Sequence, residues 1–192
     1  MHALTQEVVR ELLMGSNGGA ALGAVLEALD KKMGKFDYMK PVTYFVGRRY
    51  VRHVKTAALH TTSRSKNLSS GSSEAIGRAC NNAGTYFHTV ACSYDDSLRM
   101  YEQSVAILIK VLGKDHVDVA ASYMGMASVY EAQGKYGEAL ELHEQSVAIR
   151  IKVLGKDHVD VAASYNNMAN VYLKQGKYGE ALELHEQSVA IR

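Results

Sequence analysis

Val117-Asp118-Val119-Ala120-Ala121-Ser122-Tyr123-Met124-Gly125-Met126-Ala127-Ser128-Val129-Tyr130-Glu131-Ala132-Gln133-Gly134-Lys135-Tyr136 opens the stretch that decides how this chain folds. The segment from Val117 to Arg150 returns 42 residues later as Val159–Arg192. Only five of its 34 positions differ: Met124/Asn166, Gly125/Asn167, Ser128/Asn170, Glu131/Leu173 and Ala132/Lys174. The same shift taken backwards finds a worn copy, in which Tyr101 to Ile107 matches His143 to Ile149 and Val111 to His116 matches Val153 to His158. Further back, Asn82, Tyr94, Asp96 and Leu98 fall in register with Asn166, Tyr178, Glu180 and Leu182. Three units follow: a degenerate one at 75–116, a full one at 117–158, and one at 159–192 that is cut short. A repeat of this length marks a stack of supersecondary units.

Each unit reads as two antiparallel helices. Val119, Tyr123, Met126, Ala127 and Tyr130 recur at spacings of three and four, the stripe of an amphipathic helix. Gly134 supplies a left-handed stop, and Lys135-Tyr136 starts the partner helix. Ala139, Leu142, His143, Ser146, Ile149 and Val153 continue the apolar stripe until Gly155 ends it. Asp157 is placed to cap the next helix, with Asp160 in its first turn, where a carboxylate meets the positive end of the helix dipole. Ala127/Ala169 and Ala139/Ala181 are small where helices cross closely; Tyr123/Tyr165, Met126/Met168 and Tyr130/Tyr172 fill the spaces between. A lone hairpin cannot bury both its faces, so the units must stack. The fold class is therefore all-α: an α-α superhelix, or solenoid, of helical hairpins over 75–192.

Composition agrees. One proline, Pro41, in 192 residues suits a helical chain. The net charge of +2 hides an asymmetry. Residues 1–100 hold 13 Lys/Arg against 8 Asp/Glu, whereas residues 101–192 hold 9 against 12. Cys80 and Cys92, with no secretory signal ahead of them, read as reduced thiols of a cytoplasmic protein. No apolar run approaches the roughly 20 residues that span a bilayer.

Residues 1–74 form an N-terminal extension. Two short helical stripes, 4–13 and 20–33, flank Gly15-Ser16-Asn17-Gly18-Gly19, which reads as a helix-breaking turn and not a phosphate loop, since no Gly-Lys-Ser/Thr follows. From Lys31 to Lys66 there are ten Lys/Arg and one acid, Asp37. Composition favours a solvated, weakly ordered segment there. A nucleic-acid-binding arm is the functional alternative, and a mitochondrial presequence beginning at Met39 is another. Thr61–Ser73 reads as a Ser/Thr-rich linker.

No motif for catalysis, cofactor or metal stands out. Four of the eight histidines, His116/His158 and His143/His185, are copied by the repeat, and turns one repeat apart do not converge on a pocket. Neither His-Glu-x-x-His nor paired Cys-x-x-Cys occurs. The sequence thus points to a non-enzymatic chain that binds proteins or peptides without a cofactor.

Tyr165-x₂-Met168-Ala169-x₂-Tyr172, Gly176-Lys177-Tyr178 and Ala181-x₃-His185 resemble the tetratricopeptide signature. His185 stands where a large aromatic is usual, and Tyr101 restores it. The 42-residue spacing and the run Ala148 to His158 resemble kinesin light chains and kinesin-light-chain-like proteins. Val117 and Val159 stand where that family has proline. The resemblance implies an adaptor whose first helices line a concave groove for peptide segments. It also implies kinesin heavy chain or cargo as partners, in the cytoplasm and in association with the cytoskeleton. Mapped on this chain, the groove comprises Asn82 and Tyr86; Met124, Ser128 and Glu131; and Asn166, Asn167, Asn170, Leu173 and Lys174. All five differences between the near-identical units fall on this first helix, so scaffold is held while the face varies. An end bare of a capping helix, exposing Leu182, Val189 and Ile191, offers self-association as the structural alternative.

Overall fold

The computed structural model describes residues 51, 54–55 and 70–191. The helices read at 4–13 and 20–33, and most of the basic segment 31–66, lie outside them. Among the described residues there are six bounded helices and no strand: α1 (Ser70–Thr89), α2 (Tyr94–Leu112), α3 (Val117–Ala132), α4 (Tyr136–Leu154), α5 (Val159–Lys174) and α6 (Tyr178–Ala190). Ser70–Ser73, read above as the end of a linker, instead form the first turn of α1. The chain divides into two compact units, Met1–Val111 and Leu112–Arg192.

The turns are set by backbone chemistry. Gly134 has φ +75° and Gly176 φ +76°, the left-handed conformation that costs an L side chain energy. Each glycine closes the preceding helix by a pair of reversed bonds. Lys135 N–H donates to the Tyr130 carbonyl at 2.9 Å and Gly134 N–H to Glu131 at 3.0 Å, and Lys177 and Gly176 repeat the pattern on Tyr172 and Leu173. At the other turns the cap is not the expected aspartate. His116 and His158 are the N-caps: their Nδ1 atoms accept from the backbone N–H of Asp118 at 3.2 Å and Asp160 at 3.1 Å. Asp115 is turned instead to Lys152, whose hydrogen bond holds its carboxyl below the usual carboxylate range.

In the second unit α3 packs on α4, α4 on α5, and α5 on α6, so two hairpins stack. Val119, Ala120, Ala127 and Val129 of α3, with Ala139, Val147 and Ile149 of α4, form the interior, and α5 repeats the α3 set. The expected stripe needs adjustment. Tyr123, Tyr130, Tyr165 and Tyr172 are only half-buried, Val147 replaces Val153 in the core, and Val153 is 47% exposed. Small serines join the helices at their closest approach. Ser146 Oγ donates to the Ala120 carbonyl at 2.9 Å, and Ser188 Oγ to Ala162 at 2.8 Å. Each bond satisfies a buried hydroxyl and contributes about 1 kcal/mol net.

The first unit is built from larger residues. Ile76, Ala79, Cys80, Ala83, Tyr86, Met100 and Ile107 form one cluster with Val51 and Val54. Part of the basic segment, read as solvated, is therefore packed. Lys55 reaches Asp96 at 2.8 Å and lies 4.4 Å above the Phe87 ring. Burial pushes the Cys80 thiol up to about 12, which makes it an inert packing group.

Candidate partner-binding face

The serine bonds fix the register of each hairpin. Ser104, Ser146 and Ser188 are 42 residues apart, and their acceptors are Gly77, Ala120 and Ala162. The acceptors are spaced by 43 and then by 42, so α1 is offset by one residue from the repeat. The surplus residue sits in the turn after α1, which spans 90–93, against 133–135 and 175–177 in the later hairpins. Cys92 takes the place of Gly134 there, with φ +50°.

This offset corrects the mapping of α1. Tyr86 is the equivalent of Val129 and Val171, all three in the interior, and at 3% exposure it is a core residue and not part of a binding face. Thr85, missed by sequence reasoning, is the equivalent of Ser128 and Asn170. Both hydroxyls bond one turn back, Thr85 to the Asn81 carbonyl at 3.3 Å and Ser128 to Met124 at 3.1 Å. Asn82 corresponds to Asn167 and is half-buried. The signal that could have found the shift is the Thr/Ser pair itself, which a strict 42-residue comparison separates.

In the second unit the structure brings α3 and α5 together along one face. Met124 and Ser164 approach at 4.0 Å between Sδ and Oγ, and Lys174 Nζ meets Glu131 Oε1 at 2.6 Å. That bond holds the Lys174 ammonium above its ordinary range. Asn166, Asn167 and Asn170 are half-buried on α5, and their amides make no side-chain hydrogen bond among the described residues. Leu173 is 42% exposed beside them. An amide offers donors and an acceptor together, the complement of a peptide bond. The lone lysine on this face is matched by Glu131, so the face is near neutral.

The histidines do not converge. His116 and His158 cap separate helices, His143 is buried and His185 half-buried. Among the described residues no group of three or more His, Cys, Asp or Glu could hold a metal ion, and no helix is long and apolar enough to cross a membrane.

Residues 79–152 and 118–192 match the family model described as tetratricopeptide repeat. Among solved structures, two forms of a kinesin-light-chain-like protein of Podosopora anserina with nearly identical TPR-like repeats are similar to this chain. One is 25% identical with TM-score 0.66, covering 88% of this chain and 75% of that one. The other is 30% identical with TM-score 0.54, covering 82% and 76%. BtubC (BKLC) of P. vanneervenii is similar in fold alone, at 16% identity, TM-score 0.67, and coverage of 99% and 71%. No curated protein matches.

Proposed function

We propose that this chain, which belongs to the tetratricopeptide repeat family and resembles its kinesin-light-chain-like members, is a non-enzymatic adaptor. It takes extended segments of partner proteins on the face shared by α3 and α5. Scaffolds of this type bind proteins. The array is assigned to 75–192, with 1–74 as its extension, and the cytoplasm is its proposed compartment. Kinesin heavy chain or a motor cargo is the partner that the family resemblance suggests.

One observation supports this reading best: three neighbouring asparagine amides stand half-buried and without side-chain partners on the helix where the near-identical repeats differ. Half-burial lowers the competition from water, so bonds to a peptide backbone gain strength. The Glu131–Lys174 pair leaves little net charge, which favours a neutral peptide over an acidic one. Affinity on the order of micromolar is the expected scale for a small transient interface. The test is capture of partners by the full chain and by its Asn167→Ala, Asn170→Ala double variant. Loss of bound partners supports the face, and an unchanged set removes it.

Self-association is a second reading with its own observation. Leu182 and Val189 of α6 are 59% and 70% exposed, whereas on α4 the same residues are half-buried Leu140 and Val147 at 7%. Light scattering at two concentrations separates the two: a monomer throughout eliminates self-association. Nucleic-acid binding through 31–66 falls mainly on residues outside the described ones.

A further inference from the structure

Among the described residues the buried polar side chains are six serines and His143. Every one of those serines donates its hydroxyl to a main-chain carbonyl. His143 is the exception. It is 1% exposed on α4, and neither Nδ1 nor Nε2 has a hydrogen-bond partner. Buried polar groups are bonded as a rule, and an orphan asks for a reason. The equivalent position in the first unit is Tyr101, whose hydroxyl lies 3.0 Å from Thr85 Oγ1, so the site accepts a satisfied polar ring.

The charged groups acting on His143 come from two helices. Burial holds its pKa below the ordinary 6.5; Glu131 of α3 opposes that effect and Arg150 of α4 reinforces it. Neither is idle. Arg150 donates to the Asp160 carbonyl at 2.9 Å and to Ser164 Oγ at 2.7 Å on α5, and Glu131 is paired with Lys174 of α5. Glu131, the carboxylate whose charge acts on this imidazole, is thus also the anion paired across α3 and α5.

We propose that His143 is an acid-triggered release for this tie: its protonation draws Glu131 away from Lys174 and loosens α5 on the preceding hairpin. A protonated imidazole has two N–H donors and no acceptor in reach, so it must recruit a carboxylate or leave a charge buried. Glu131, with a carboxylate side chain only 16% exposed, is well screened from water and is the group to be recruited. Lys174, 54% exposed, is readily rehydrated when it is left behind.

The direction of the effect follows from proton counting. The unfolded chain takes up a proton near 6.5, while the folded imidazole stays neutral to lower pH. Stability from the neutral site is complete above 6.5 and is lost as pH falls through the depressed folded value. Between those limits the unfolding equilibrium constant rises by up to about tenfold per pH unit. The inference stands whether or not the α3–α5 face binds a peptide.

Three measurements on the full chain test it. In a titration followed by NMR of the histidine ring protons, His143 titrates below 6.5, and lower still in Glu131→Gln. In urea unfolding at pH 7.5 and 5.0, His143→Gln flattens the acid-induced rise of the unfolding constant, by about tenfold for each unit of depression. Amide exchange near Lys174 in α5 accelerates at pH 5.0 beyond the intrinsic rate change in the parent and not in His143→Gln. A ring titrating at or above 6.5, or α5 protection unchanged while His143 takes its proton, overturns the proposal. Should His143→Gln not fold, the titration and exchange of the parent chain decide alone.

Discussion

Gly84 is where the worn unit differs most instructively from its neighbours. A Cβ built at Gly84 would lie 2.8–2.9 Å from three atoms of the Tyr101 ring, closer than real contacts allow. Tyr101 is 3% exposed and its hydroxyl is held by Thr85, so the ring has no free direction in which to retreat. Gly84→Ala should therefore cost about 1–3 kcal/mol of overpacking, offset by about 1 kcal/mol of improved helix propensity. The equivalent residues in the next hairpin are Ala127 and His143, a larger residue on the first helix facing a smaller ring on the second. Tyr101→His alone gives up the Thr85 bond, about 1 kcal/mol. Combined with Gly84→Ala it recreates the pairing that the second repeat already tolerates. The double variant should then lose less than the sum of the two single losses, with a coupling of about 1 kcal/mol or more. Urea unfolding followed by far-ultraviolet circular dichroism measures the cycle. Additivity within about 0.5 kcal/mol would refute the idea that these two positions are matched for size.

Two further outcomes follow from the turns and the serines. Cys92→Gly, at the one described non-glycine residue with positive φ, should raise stability by about 1 kcal/mol, visible as a higher melting temperature; no gain would mean the strain lies elsewhere. Ser146→Ala removes the hydroxyl that joins α4 to the Ala120 carbonyl and should cost about 1 kcal/mol in the same melt. A neutral result there would reduce the repeated serines to spacers.

The hairpins were legible because helix period, glycine stops and the 42-residue repeat all point to one structure. Gly134 and Gly176 could be assigned from position alone, and they hold the left-handed turns. What stayed hidden depends on three-dimensional neighbours. Ser146 falls on the apolar stripe of its helix, yet the carbonyls on which it, Ser104 and Ser188 are buried cannot be located from sequence. His116 and His158 hold the cap positions in place of the adjacent aspartates, and Asp115 is engaged by Lys152, 37 residues away, a contact that no linear pattern shows. Tyr86 was misplaced because one extra turn residue shifts α1 while leaving α2 in register. The asparagines of α5 were legible as members of the variable helix; their lack of side-chain partners was not.

Residues 136–148 and 178–190 are identical in sequence, so α3 meets the same side chains on α4 as it would on α6. Chemistry gives the growing chain no means of telling its proper partner from the copy one repeat further on. What discriminates is tether length: the three-residue turn at 133–135 delivers α4 long before diffusion can deliver α6. Inserting a long flexible loop there would erode that advantage and invite non-native pairing during refolding, although the native state would keep every contact it has.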